Sequence, residues 1–130
     1  MPVETTIQIR WGDMDAMGHV NNAVFLAYLE SAREPFFEQV VGDELTRFVL
    51  RRVEIDYLSQ LRYADGAARV AVALAGVGTT SLRTHEVMTA VSDGRVVAEA
   101  RAVIVHVDAT GERAQPLPDA VRDRLAAQVA

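Results

Sequence analysis

The sequence predicts an α+β domain in which an antiparallel sheet of five or so strands covers one long helix. Three observations carry that prediction. The chain has 130 residues, half of them hydrophobic, enough for one core and too few for two domains. One stretch, from about Asn22 to Val41, has the apolar period of a helix. Four later stretches, near residues 48–63, 67–78, 80–91 and 95–108, are rich in Val, Ile, Leu and Thr and are separated by turn signals.

Taken in order, Ile7 and Ile9 alternate with Thr6, Gln8 and Arg10, the period-2 pattern of a half-buried strand. The period then changes. Val24, Phe25, Tyr28, Leu29, Ala32, Phe36, Phe37, Val40 and Val41 form the apolar stripe of a helix of about 20 residues, which Gly42 is suited to end. Pro35 lies inside it and removes the N–H that would bond to Ser31, so a bend is expected, at a cost of about 3 kcal/mol that packing must offset. Asp65-Gly66 and Asp93-Gly94 read as turns, and Ser92-Asp93-Gly94-Arg95 joins the last two strands as a hairpin. Leu117-Pro118 introduces a short terminal helix carrying Val121 and Leu125. Between Arg95 and Asp108 apolar residues occur at both parities, and one helix cannot cover both faces of a sheet. Something else must cover the second face or an edge.

The segment between the first strand and the helix carries the chemistry. It reads Arg10-Trp11-Gly12-Asp13-Met14-Asp15-Ala16-Met17-Gly18-His19-Val20-Asn21-Asn22. A carboxylate on a polar loop, a glycine bend and two asparagines able to cap a helix place an acid beside unpaired backbone N–H groups. That is the minimum equipment for attacking an acyl carbonyl.

Composition excludes several alternatives. A net charge of −5 and no basic tract argue against a nucleic-acid partner. All 13 positive residues are arginine, so a ligand phosphate would meet guanidinium groups or backbone. Cysteine is absent, which removes disulfides, thiolate metal sites and a cysteine nucleophile. Asp13-x-Asp15-x-Met17-Gly18 has the look of a calcium loop but carries Met17 and Val24 where oxygen ligands belong, and His19 with two aspartates makes a poor zinc site. No metal or cofactor is expected. Neither a leader-like N-terminus nor a run of roughly 20 apolar residues is present, so no membrane partner and a cytoplasmic location are expected.

The loop and the helix entry resemble the hotdog-fold acyl-CoA thioesterases of the 4-hydroxybenzoyl-CoA thioesterase type, which carry a similar Asp-x-x-Gly-His/Ile-Val-x-Asn loop before one long helix. Val53-Glu54-Ile55-Asp56-Tyr57, Arg62-Tyr63-Ala64-Asp65-Gly66, Gly78-Thr79-Thr80-Ser81 and Val96-Val97-Ala98-Glu99-Ala100 follow in the order that family shows, up to about Pro118. The resemblance implies a hotdog fold, an acyl-CoA substrate hydrolysed to a free acid and CoA, and a homodimer joined sheet edge to sheet edge or a homotetramer of stacked dimers. Acyl carrier protein is the other carrier it allows. A non-catalytic hotdog module binding acyl-CoA or acyl carrier protein is the competing reading, which gives Asp15 no task. A dehydratase would want Asp-x-Asn-Pro-x-His, which is missing.

By the same resemblance Asp15 is the catalytic group, as nucleophile or as general base, although a loop aspartate before a glycine also makes an Asx turn. Asn22 matches the position whose backbone N–H polarises the thioester oxygen, and either asparagine would cap the helix as well. Gly18 would permit positive φ or close substrate approach, or simply make the turn. His19 stands beside the acid as a partner in a His-Asp pair, as a substrate contact or, more commonly for such a residue, as a structural hydrogen-bonding group. Asp13 is expected to be solvated or to stabilise a turn. Tyr28 and Glu30 could border the acyl pocket, Tyr28 also lying on the apolar stripe. Thr80 and Ser81 match the segment that meets the pantetheine arm, and Arg62 and Arg83 are candidates for the CoA phosphates. His85 and His106 fall within strand patterns, where surface or paired imidazoles are expected.

Overall fold

The computed structural model describes residues 2–42 and 47–129. Its elements are β1 (Val3–Gln8), α1 (Asn22–Val40), β2 (Arg47–Tyr57), β3 (Ala67–Val77), β4 (Ser81–Ala90), β5 (Val96–Val107) and α2 (Asp119–Val129), with short 3₁₀ turns at Trp11–Asp13 and Tyr63–Asp65. The strands form a single antiparallel sheet in the order β1-β3-β4-β5-β2. The α+β expectation and the helix count of one long and one short element both hold. Boundaries differ most in the first predicted long strand, which ends at Tyr57 rather than near residue 63. Beyond Tyr57 the N–H groups of Leu58 and Ser59 leave the ladder and donate to the carbonyl of Val97, at 2.9 and 3.2 Å.

Strand β4 shows why the sheet has an inside. Leu82, Thr84, Glu86, Met88 and Ala90 are buried, while Arg83, His85, Val87 and Thr89 alternate with them on the other face, as a pleat demands. Helix α1 lies on the inner face and buries Phe25, Tyr28, Leu29, Ala32, Phe36 and Val40. It packs against β1 and β3, and α2 closes the core by placing Val121 and Leu125 against β3 and α1. Helix α1 is continuous through Pro35. It stops where expected, because Gly42 takes φ +82° and returns its N–H to the Phe37 carbonyl.

Three irregularities curve the sheet. The β2–β5 ladder slips between Leu50 and Arg52, β3–β4 between Leu74 and Gly76, and β4–β5 beside Val97. Each inserts an unpaired residue and sharpens the local twist, letting a five-stranded sheet bend round one helix. Part of the extra cover demanded by the two-sided apolar pattern of β5 comes from the chain itself. The segment after β5 doubles back, bridging Val107 to Ala114 and bonding Gln115 to His106. His106 is buried there, with Nδ1 against the carbonyls of Gln115 and Pro116 and its ring near Phe48. His85 is a paired surface imidazole, 2.9 Å from Glu99.

Candidate active site

The loop between β1 and α1 is built from contacts among its own residues. Asp15 Oδ1 accepts the N–H groups of Met17 at 2.9 Å and His19 at 3.1 Å, while the Asp15 N–H donates to the His19 carbonyl at 2.7 Å. Gly18 adopts φ +79°, which favours glycine, and its N–H closes the turn on the Asp15 carbonyl. Asp15 thus makes the Asx turn and also leaves Oδ2 without a hydrogen-bond partner among the described residues, on an exposed carboxylate. The His19 imidazole likewise has no such partner among them. Its backbone pairs with Arg62, and the Val20 N–H donates to the Leu61 carbonyl at 2.7 Å, so the loop is stitched to the segment that follows β2.

The helix start is equally local. Asn21 is the N-cap, its side chain accepting from the Ala23 N–H at 2.9 Å. Asn22 is the first helical residue, and its N–H has no acceptor among the described residues. A pocket of about 270 Å³ opens at this end of α1, lined by Asn22, Phe25, Tyr57, Leu58, Ser59 and Gln60. Tyr57 closes one side: its hydroxyl donates to the Asn22 carbonyl at 3.1 Å and its ring meets Phe25 edge to face. The sequence reading missed Tyr57 through Gln60 as site residues, because nothing within the chain near them marks a pocket wall.

Asp13 takes the turn-stabilising one of its two expected roles. It stabilises its 3₁₀ turn by accepting the Arg10 N–H at 3.0 Å, yet it is buried rather than solvated. The Tyr28 hydroxyl, reaching out of α1, donates to Asp13 Oδ2 at 2.5 Å. Burial works to raise the Asp13 pKa, but the hydrogen bonds from Tyr28 and Arg10 together with the Arg10 charge outweigh it and hold the carboxyl below its ordinary value. Burial and the same anion push the Tyr28 phenol well up. Tyr28 is therefore a core group that fastens the loop to the helix, and it does not line the pocket beside Asn22. A tyrosine on an apolar stripe requires a polar partner for its hydroxyl, but the stripe does not say which residue supplies it.

The remaining predicted residues separate into two groups. Arg62 is exposed beside His19 and has its N–H held by Asp65 Oδ2 at 2.8 Å. Thr80, Ser81 and Arg83 are not brought to Asp15 within one protomer. The loop leaves β1 beside Ala67, where Gln8 pairs with it, and Thr80 follows the far end of β3, roughly 30 Å along an 11-residue strand. There the turn is tied to α2 by Arg122, which donates to the carbonyls of Gly78 and Thr79 at 3.0 Å each. Arg83 faces the outer side of the sheet, its guanidinium lying over Gly76 where any Cβ would collide with it, in a cleft shared with Arg52 and Arg101. Glu30 lines an open groove between α1 and β2 together with Leu26, Arg33 and Leu50. Among the described residues no cluster of three or more His, Asp or Glu side chains is arranged to hold a metal ion, and no helix is long and apolar enough to cross a membrane.

This architecture has close counterparts. A thioesterase from Thermus thermophilus, in a crystal structure with coenzyme A and zinc, is 39% identical and superposes with a TM-score of 0.85, covering 95% of this chain and 97% of that one. A predicted thioesterase from Bacillus stearothermophilus is 30% identical with a TM-score of 0.87, covering 98% and 96%. The long-chain acyl-CoA thioesterase FadM of Escherichia coli is 27% identical, with 95% of this chain and 96% of that protein aligned. Residues 9–125 match the thioesterase-like superfamily as a whole. With its five-stranded antiparallel sheet curved round one central helix, the chain belongs to that superfamily and has the hotdog fold.

Proposed function

We propose that this protein is an acyl-CoA thioesterase, hydrolysing the thioester to a free carboxylic acid and CoA, with Asp15 as its catalytic group. The observation that carries the reading is the pocket at the open N-terminal end of α1, directly after the loop that holds Asp15. A carbonyl oxygen seated against the Asn22 N–H would meet an unshared donor and the positive end of a 19-residue helix where the tetrahedral oxyanion forms. Asp15 is anchored through Oδ1, which leaves Oδ2 free to attack the carbonyl carbon or to deprotonate a water that does so. The CoA-bound and FadM relatives support acyl-CoA as the substrate class.

A thiol-release assay across a panel of aliphatic and aromatic acyl-CoA esters tests this directly. The wild-type protein is expected to turn over members of the panel, and Asp15→Asn is expected to lower kcat by about a hundredfold with the fold retained. Absence of hydrolysis by the wild type, or a wild-type rate in Asp15→Asn, would overturn the reading.

The site is proposed to be completed by a second copy. Strand β2 is a sheet edge of 11 residues, and Val49, Leu50, Tyr57 and Leu58 along and just beyond it are 42 to 57% exposed. Such an apolar open edge is a template for pairing. Tyr57 and Leu58 belong both to this edge and to the pocket, so pairing there would shape the acyl site. Thr80, Ser81 and Arg83 would then serve as pantetheine and phosphate contacts for the partner's site. Sedimentation at micromolar concentration is expected to show a dimer or tetramer, and a monomer would refute the composite site.

A further inference from the structure

We propose that Arg95, in the hairpin between β4 and β5, is a positioning residue for the candidate active site, holding the Leu58–Asp65 segment that forms the pocket wall and anchors the Asp15 loop. The inference rests on the functional reading above and adds a residue that the motif does not contain.

Arg95 spends its guanidinium on that segment. Its Nε donates to Ser59 Oγ at 3.1 Å, Nη2 donates to the Gln60 carbonyl at 2.6 Å, and Nη1 and Nη2 reach the two oxygens of Asp65 at 3.1 and 2.8 Å. Nη1 also donates to Asp93, in the same hairpin. Asp65 passes the constraint on, accepting the Arg62 N–H at 2.8 Å and the Ser92 hydroxyl at 2.7 Å. The planar fork suits this task because it fixes direction as well as distance. Arg95 draws the Asp65 carboxyl well below the usual carboxylate range, so the pair stays ionised across any ordinary assay pH.

Both functions of the clamped segment lead to the site. Leu58, Ser59 and Gln60 are half of the pocket lining. Leu61 and Arg62 are the backbone partners of Val20 and His19, so a shift there moves the loop that orients Asp15. The bulge at Val97, two residues beyond Arg95, supports the same wall by accepting two N–H groups from Leu58 and Ser59. Misplacement of about 1 Å is enough to cost a hundredfold in rate when reacting groups depend on alignment.

Trp11 supplies a readout independent of activity. It is the only tryptophan, it is 75% exposed, and its ring meets Tyr63 of the clamped segment edge to face at 5.3 Å. The expected result for Arg95→Met is a kcat lowered at least tenfold at matched folded content, together with a changed Trp11 emission. Arg95→Lys is expected to restore little, since an ammonium cannot make the fork. Asp65→Asn should reproduce the loss, and the Arg95→Met/Asp65→Asn pair should lose no more than either alone. Asp65→Asn also keeps the proposal testable if Arg95→Met does not fold. Arg69→Met, on the outer face of β3, serves as the unaffected control. Unchanged kcat in folded Arg95→Met, full rescue by lysine, or unchanged Trp11 emission would overturn the assignment. If the wild type hydrolyses no thioester, the functional reading fails while the emission measurement still decides whether Arg95 positions the loop.

Discussion

Asn22→Pro is expected to lower the maximal rate of thioester hydrolysis roughly 10²- to 10³-fold, the scale for removing one oxyanion donor, whereas Asn22→Ala keeps most of the activity. The donor in question is the backbone N–H, which alanine preserves and proline deletes. The local geometry makes the comparison clean. Asn22 is the first helical residue, where proline is favoured and where no intrahelical hydrogen bond is lost. The residue before it, Asn21, has φ −59° and ψ 139°, a polyproline-II-like backbone clear of the α region that a following proline disfavours. The Asn22 carbonyl, which receives the Tyr57 hydroxyl, is present in both variants. Kinetics at matched folded content, judged by circular dichroism and melting temperature, decide the matter. Equal turnover in the two variants would remove the helix terminus from the mechanism and leave Asp15 with some other electrophilic partner.

The largest effect on stability is expected at a position with no proposed part in the chemistry. Arg33 of α1 and Glu86 of β4 form a two-pronged ion pair, Nε to Oε2 at 2.8 Å and Nη2 to Oε1 at 2.9 Å. Both side chains are nearly inaccessible, at 8% and 0% exposure, and Thr84 adds a hydroxyl donor to Glu86 at 2.7 Å. Glu86→Ala strands a guanidinium in the interior and should destabilise the fold by about 3–5 kcal/mol. That is a large share of the roughly 5–15 kcal/mol that holds a typical domain together. Replacing both partners, as Arg33→Met/Glu86→Leu, should recover most of the loss, because the burial penalty disappears with the charges. Urea unfolding at one fixed protein concentration provides the measurement, since self-association would otherwise shift the midpoints. A loss below about 1 kcal/mol for Glu86→Ala would mean that water reaches the pair.

What was legible in the chain follows the range over which the information is stored. The Asp15 turn, the positive φ at Gly18, the Asn21 cap and the Gly42 stop each depend on partners within five residues, so composition and spacing suffice to read them. The helical stripe and the alternation in β4 are likewise properties of a short window. The placement of Asp13 was not readable in this way, because its burial depends on a tyrosine 15 residues later on another element.

The same limit explains the larger misses. Nothing near Arg33 in the chain announces its partner, because Glu86 lies 53 residues on, on the inner face of β4. The stretch after Tyr57 reads as more strand until the bulge at Val97 captures its N–H groups. The pocket wall and its Arg95 clamp exist only once the β4–β5 hairpin lies beside the end of β2. Thr80, Ser81 and Arg83 belong with Asp15 in the order of motifs but stand at the other end of the sheet within one protomer, because β3 runs its full length between them. By itself the sequence determined the elements, the loop that carries Asp15 and the helix entry, since backbone propensity and turn chemistry act locally. Only the tertiary structure decided which buried charges are paired, what walls the pocket and which candidate residues share it, because those depend on strand order and register across tens of residues.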